Sequence, residues 1–240
     1  MPKHLRTSEM NKQKLTCFLP CRKGSERIPQ KNIKPFAGFE FGMIEIKLKQ
    51  LIESSRVDEI MLSTNDDCIL EYASSLKCEK IRLHKRSEAL SSSSTSTDEL
   101  VAHAASLIHE GDILWTHVTS PFLTADHYND IISLYYQKIS EGHDSLMTTT
   151  LLHSFLWDQK QPLNYDRNVE KWPRTQTLEA IHEINSGAFI ASTEIYKKLD
   201  DRIGKKPYLH PLDKLVSHDI DWPEDFTVAE CLIDRGLVRV

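Results

Sequence analysis

The run Leu15-Thr-Cys-Phe-Leu-Pro-Cys21 is apolar and stops abruptly at a loop that holds Arg22, Lys23, Arg27 and Lys31 around Gly24 and Ser25. A short apolar run bounded by turn residues predicts a buried strand. In open α/β sheets, ligands bind at the carboxyl ends of strands. Gly24 lets the backbone turn tightly, so that successive N–H groups can point at phosphate oxygens. The four cations supply charge, and Pro29 stiffens the far side of the loop. The plain alternative is a basic surface turn, but four cations crowded around one Gly-Ser turn at a strand end favour an anion site.

Strand-like and helix-like segments alternate along the rest of the chain, which predicts an α/β fold with a mainly parallel sheet between helices. Strands are expected at 15–21, 59–63, 80–83, 112–118, 145–150 and 187–191. The helical period places Ile44, Leu48, Leu51 and Ile52 on one side of a helix over 43–54. Further helices are expected over 68–76, opened by Thr64-Asn65-Asp66-Asp67, over 98–109, over 125–140 behind a Thr124 cap, and over 223–233 with Pro223 in its first turn. Residues 1–14 read as a polar lead-in before a domain over 15–240. The stretch 153–184, polar and marked by Pro162 and Pro173, reads as an excursion from the sheet.

Composition narrows the function classes. A net charge of −5 argues against nucleic-acid binding, so the basic loop reads as a small-anion site. No apolar run approaches the length of a membrane span. The five cysteines, Cys17, Cys21, Cys68, Cys78 and Cys231, are odd in number and lack metal-type spacing. They predict reduced thiols and a cytoplasmic protein. There is no Gly-x-Gly-x-x-Gly, no Gly-x-x-x-x-Gly-Lys-Ser/Thr and no Gly-x-Ser-x-Gly.

Asp219-Ile-Asp221 precedes the last helix. In an extended segment, residues two apart share a face, so the two carboxylates can meet one hard cation of the Mg²⁺ type. The alternative is that Asp221 or Glu224 serves the helix N-terminus. Arg86 leads into the hydroxyl-rich run Ser91–Thr97, with Thr95, which either donates to a base or ribose or caps the following helix. His117-Val-Thr119-Ser120-Pro121 ends a strand, where substrate contacts are expected, although His117 can equally be structural. Asn185-Ser-Gly187 opens another strand and reads either as a polar group facing a cleft or as a turn.

Taken in order, these motifs resemble the cytidylyltransferases that activate acidic sugars, the CMP-sialic acid synthetase (acylneuraminate cytidylyltransferase) family. The resemblance runs from Leu15 to about Leu237 and is carried by Leu19-Pro-Cys-Arg-Lys-Gly-Ser-Glu-Arg-Ile-Pro-Gln-Lys-Asn32, Thr119-Ser120-Pro121, Asn185–Ile190 and Asp219-x-Asp221. It implies a three-layer α/β/α Rossmann-like nucleotidyltransferase fold with a small dimerisation excursion at 153–184. It implies transfer of CMP from CTP to an acidic 2-keto sugar, with release of pyrophosphate. Arg22, Lys31, Asp219 and Asp221 are the implied catalytic residues. Arg22, Gly24, Ser25, Lys31, Asn32, Arg86, Thr95 and Thr97 would bind the nucleotide. His117, Thr119, Ser120, Arg174 and Asn185 would bind the sugar, with His117 standing where the family usually has a glutamine. Asp219 and Asp221 would hold Mg²⁺ (or Mn²⁺). The implied partners are CTP, the acidic sugar and further copies of the chain in a homodimer or homotetramer, with no nucleic acid and no membrane. The acceptor stays open among sialic acid, Kdo, legionaminic acid and pseudaminic acid, and a non-catalytic nucleotide-binding protein is the rival of another class.

Overall fold

A central sheet takes its shape from the apolar runs. The computed structural model describes residues 13–240. Residues 1–12 of the expected polar lead-in lie outside the described residues. Seven strands, β1 (Leu15–Pro20), β2 (Glu59–Thr64), β3 (Ile81–Lys85), β4 (Asp112–Trp115), β5 (Ser145–Leu152), β6 (Ile181–Ser192) and β7 (Pro207–Leu212), form one sheet in the order β3-β2-β1-β4-β6-β5-β7. β3, β2, β1 and β4 run parallel to one another, as do β5 and β7. β6 runs antiparallel to both β4 and β5.

Alternate residues of β1 face opposite sides of the sheet, and that alternation builds two cores. Cys17 and Leu19 join a core with α1 (Gly42–Glu53), α2 (Asp67–Ser75), α4 (Ala125–Ser140) and α6 (Pro223–Asp234). Phe18 joins Met61, Trp115 and Phe189 under α3 (Thr97–Leu107) and α5 (Thr193–Leu199). The architecture is therefore the expected three layers, with helices on both faces of a mainly parallel sheet.

Helix starts follow their caps. Asp66 accepts from the Cys68 N–H at 3.0 Å. Thr124 caps α4, and Pro223 occupies the first turn of α6. At α3, Ser96 and Glu99 form a reciprocal capping box.

Two elements have no counterpart in the sequence reading: α5 and the edge strand β7, in a segment of mixed polarity with no clear period. The expected excursion is also shorter than 153–184. Residues 181–184 belong to β6 and pair with β5, from Thr149↔Ile184 to Leu152↔Ile181. The strand expected over 112–118 ends at Trp115, which leaves His117 to Pro121 as a turn above the sheet.

Leu48 is fully buried in the α1 core. Leu48→Ala is expected to lower the unfolding free energy by about 2–5 kcal/mol through lost transfer energy plus a cavity. Urea denaturation checks this, as a lower midpoint at unchanged m-value.

Candidate active site

The β1 carboxyl end and the loop after it are held from several sides. Cys21 N–H donates to the Ser63 carbonyl at 3.0 Å, which extends β1 pairing past the strand. Lys23 N–H donates to Asn65 Oδ1 at 2.8 Å, and Asn32 Nδ2 donates back to the Arg22 carbonyl at 3.1 Å. Gly24 has φ +77°, and the space a Cβ would take is open. The glycine is thus required by backbone conformation, and the concavity is left free.

Two clefts adjoin along this loop and share Arg22, Ser25, Lys31 and Asn32. The first, about 380 Å³, is otherwise lined by Lys23, Gly24, Pro29, Asp66 and Cys68 among others. The second, about 270 Å³, is lined by His117, Val118, Thr119, Ser186, Asp219 and Asp221 on its far side. One cleft is therefore cationic and backbone-rich, and its neighbour carries paired carboxylates.

The carboxylate segment is fixed from both ends. Ile220 is buried, and its N–H donates to the Thr119 carbonyl at 2.9 Å. Lys31 Nζ donates to the Ile220 carbonyl at 2.9 Å and to Asp221 Oδ1 at 3.0 Å. Arg27 lies 3.6 Å from Asp221 Oδ2 and stacks 4.3 Å over the Trp222 ring. The start of α6 is served by Asp225, whose Oδ2 accepts from the N–H groups of Asp221 and Trp222 at 2.8 and 2.7 Å. Helix capping therefore does not consume the Asp221 carboxylate.

Asp219 is half-buried, and its Oδ1 is enclosed without a hydrogen-bond partner. Burial raises its pKa above the ordinary carboxylate value, partly offset by the Thr119 hydroxyl, and the charge of Asp221 raises it further. A buried carboxylate oxygen without a donor, with a second carboxylate two residues on in the same cleft, suits a hard divalent cation. No cluster of three or more metal-ligating side chains exists among the described residues. A site of one or two carboxylates completed by water and phosphate oxygens is the usual Mg²⁺ arrangement.

His117 Nε2 accepts from the Trp115 indole N–H at 3.0 Å. Burial, followed by the charge of Arg202, pulls its pKa down to about 4. The neutral ring then carries its proton on Nδ1, which leaves one N–H donor on a side chain that lines the cleft.

The other expected residues take different places. Arg86 is buried; it donates to Ser91 Oγ at 3.1 Å and to the Cys21 carbonyl at 2.8 Å, while its NH1 has no partner. It thus ties the hydroxyl-rich loop to the end of β1. Thr95 lies half-buried beside Ser92, and Thr97 is exposed in the first turn of α3. Ser120 is buried, with its carbonyl turned to the core. Asn185 braces β5 and β6, accepting from Thr148 Oγ1 at 2.6 Å and donating to Thr150 Oγ1 at 3.2 Å. Arg174 is exposed at a short 3₁₀ turn, Thr175–Thr177. None of these six lines either cleft. Gly187 is required by close approach, since a Cβ there would lie 2.8 Å from Thr148 Oγ1.

Sequence reasoning missed the support beneath the site. Lys47 is fully buried on α1. Its Nζ donates to the Ser120 carbonyl and to Tyr128 Oη, both at 2.7 Å. Gln50 Nε2 donates to the Pro121 carbonyl at 2.6 Å. Together they hold the 119–121 turn from below. A lysine at a core position of an amphipathic helix was the available signal. Asn65, which holds the Gly24 loop, and Ser186, which lines the second cleft, carried no signal beyond their polarity.

Burial pulls the Lys47 pKa down to about 7. Unfolded, the lysine holds its proton to about pH 10.4. Between these values the unfolded chain binds the extra proton, so stability rises with pH. Stability measured by urea denaturation between pH 7 and 8.5 is expected to climb by up to about 1.4 kcal/mol per pH unit, the contribution of one proton. Lys47→Met is expected to remove that component of the slope.

Comparison with known proteins gives the family and the fold. A family model described as cytidylyltransferase matches residues 16–205. The chain is 29% identical over 218 residues to N-acylneuraminate cytidylyltransferase B of Danio rerio, covering 87% of this chain and 49% of that protein. It is 27% identical over 226 residues to pseudaminic acid cytidylyltransferase of Campylobacter jejuni, covering 90% of this chain and 94% of that one. The chain thus spans about half the length of the fish relative and nearly all of the bacterial one. Among solved structures, CMP:2-keto-3-deoxy-manno-octonic acid synthetase complexed with CTP superposes with a TM-score of 0.61 at 15% identity, over 93% of this chain and 99% of that one. The 4-diphosphocytidyl-2C-methyl-D-erythritol synthase of Anaerococcus prevotii gives 0.66 at 14% identity, over 93% and 97%. At these identities the superpositions speak for the fold.

Proposed function

The chain belongs to the cytidylyltransferase family, and on that premise we propose that it transfers CMP from CTP to an acidic 2-keto sugar, releasing pyrophosphate. The observation that carries this reading is the pair of adjoining clefts, one cationic and one lined by Asp219 and Asp221, with Lys31 on the boundary between them. The named relatives act on N-acylneuraminate and pseudaminic acid, which supports an acidic acceptor.

In this reading the Gly24-Ser25 backbone, Arg22 and Lys31 hold the triphosphate, and Asn32 and Arg86 keep the loop in shape around it. A hydroxyl oxygen of the sugar attacks the α-phosphorus in line, the bond to the pyrophosphate oxygen breaks, and the hydroxyl proton is released to solvent. Arg22 and Lys31 stabilise the charge that builds on the leaving group. Asp219 and Asp221 hold a divalent cation, Mg²⁺ (or Mn²⁺), whose chemistry is to neutralise charge on phosphate oxygens. Thr119 and the His117 N–H bind sugar oxygens and orient the acceptor.

The excursion supports an oligomer. Val169 is 86% exposed and Trp172 64% exposed, beside Trp157 and Leu163. Arg167 lies 5.5 Å from both the Trp157 and Trp172 rings. Such a patch fits a homodimer or homotetramer interface. No helix among the described residues is long and apolar enough to cross a membrane. With all five cysteines free, the reading is of a cytoplasmic enzyme.

Pyrophosphate release with Mg²⁺ tests the reading, with CTP, UTP, ATP and GTP offered against sialic, legionaminic, pseudaminic and Kdo-type acids. Release with CTP and one acid is expected; CTP that binds tightly without turnover of any acid favours a binding protein. Asp219→Asn is expected to cut kcat by on the order of 100-fold or more, because charge neutralisation at the phosphates is lost. Its melting temperature should not fall, because burial already disfavours the charged form of Asp219. Lys31→Met is expected to lower kcat about 100- to 1,000-fold through the leaving group, measured at saturating CTP.

A further inference from the structure

An acidic sugar brings a carboxylate to a cleft that already contains Asp219 and Asp221, so it needs a cation of its own. The cations of the first loop have other work in this reading. Lys31 and Arg27 pair with Asp221, Lys23 borders the triphosphate-type cleft, and Arg22 lines both clefts, where the triphosphate claims it. Arg202 is a cation left over. It lies in the turn between α5 and β7, with its guanidinium carbon 3.7 Å over the Phe189 ring and 5.1 Å from the Trp115 ring. Among the described residues it forms no ion pair and donates no hydrogen bond. Arg202 is half-buried, so part of the residue stays open to solvent. The neighbouring Asp201 carboxylate accepts from the Ile203 N–H at 3.3 Å.

The ring beneath Arg202 also connects it to the cleft. Trp115 donates its indole N–H to His117, and His117 lines the cleft that holds Asp219 and Asp221. Arg202 therefore stands one aromatic ring from the expected acceptor position, on the side of the sheet that carries α3 and α5. Stacking on Phe189 fixes the plane of the guanidinium, and a planar fork matches a carboxylate with two parallel hydrogen bonds.

We infer that Arg202 is the carboxylate receptor of the acceptor sugar, binding it bidentately beside the His117 N–H and so selecting acidic over neutral sugars. This rests on the proposed activity and adds to it a residue that decides substrate class. Chemistry at the α-phosphorus does not involve Arg202, so its contribution lies in acceptor affinity.

The test uses the full chain and whichever acid the unaltered protein turns over, with the methyl ester of that acid as the uncharged probe. Arg202→Gln is expected to raise the KM for the acid about 10- to 100-fold, the range for a hydrogen bond to a charged group. The KM for CTP should stay within about 2-fold, and the preference for acid over ester should collapse. Arg202→Lys keeps the charge without the fork and is expected to restore only part of the loss, at an unchanged melting temperature. An unchanged KM for the acid, or an equal rise in both KM values, overturns the inference while the activity stands. Failure of the unaltered protein to turn over any acid overturns the activity and the inference together.

Discussion

Lys31 joins two parts of the chain that sequence places far apart. Its ammonium bonds the Ile220 carbonyl and the Asp221 carboxylate, 189 and 190 residues further along. It thereby sets the distance between the basic loop after β1 and the carboxylate segment before α6. Both clefts take their shared wall from this contact. The segment it grips is held again on its other side by the Thr119 carbonyl, and the turn containing Thr119 rests on Lys47 and Gln50. The site is thus a chain of hydrogen bonds leading from a partly buried ammonium down to a fully buried one. Loss of one member leaves the next unpaired, which costs more than the bond itself contributed.

The buried lysine is the expensive part of that arrangement. A cation with no carboxylate within ion-pair distance is costly to desolvate, and burial accordingly brings the Lys47 pKa to about 7. Its position is offset by two short hydrogen bonds and by the Tyr128 ring, 4.9 Å away. Tyr128 in turn contacts Thr116 Oγ1 at 2.8 Å, and Thr116 donates to the Gly187 carbonyl at 2.7 Å. The network therefore spans α1, α4, the end of β4 and the start of the Gly187 segment of β6. Such a buried polar network specifies how the elements it joins are arranged, and here it supports the turn whose Thr119 lines the second cleft.

Much of this was legible in the sequence, and the reasons differ by element. The strand β1, the basic loop and the helix α1 were legible because their signals are local: an apolar run, a glycine among cations, a 3.6-residue period. Asp66, Thr124 and Pro223 were legible as helix starts because capping satisfies nearby N–H groups. Asp219 and Asp221 were legible as a pair. That one carboxylate is half-enclosed with an orphaned oxygen and the other is exposed against two cations was not. The distinction comes from Thr119, Lys31 and Arg27, all distant in sequence. The 181–184 stretch looked like part of a polar excursion because it carries His182 and Glu183, yet backbone pairing to β5 makes it strand. Strand pairing is paid for by a partner the local pattern does not name.

By itself the sequence determined the alternation of strands and helices, the points where helices begin, and the residue types of a basic glycine loop and a pair of carboxylates. Each of these follows from forces acting within a few residues. Only the tertiary structure decided that β6 runs antiparallel between β4 and β5, that β7 forms the sheet edge, that a lysine goes into the core beneath the site, and that Arg202 is left stacked on Phe189 and Trp115 without an ion pair among the described residues. Those outcomes depend on burial and on partners from distant segments, and a charge acquires its role only when the fold has settled which of its potential partners are within reach.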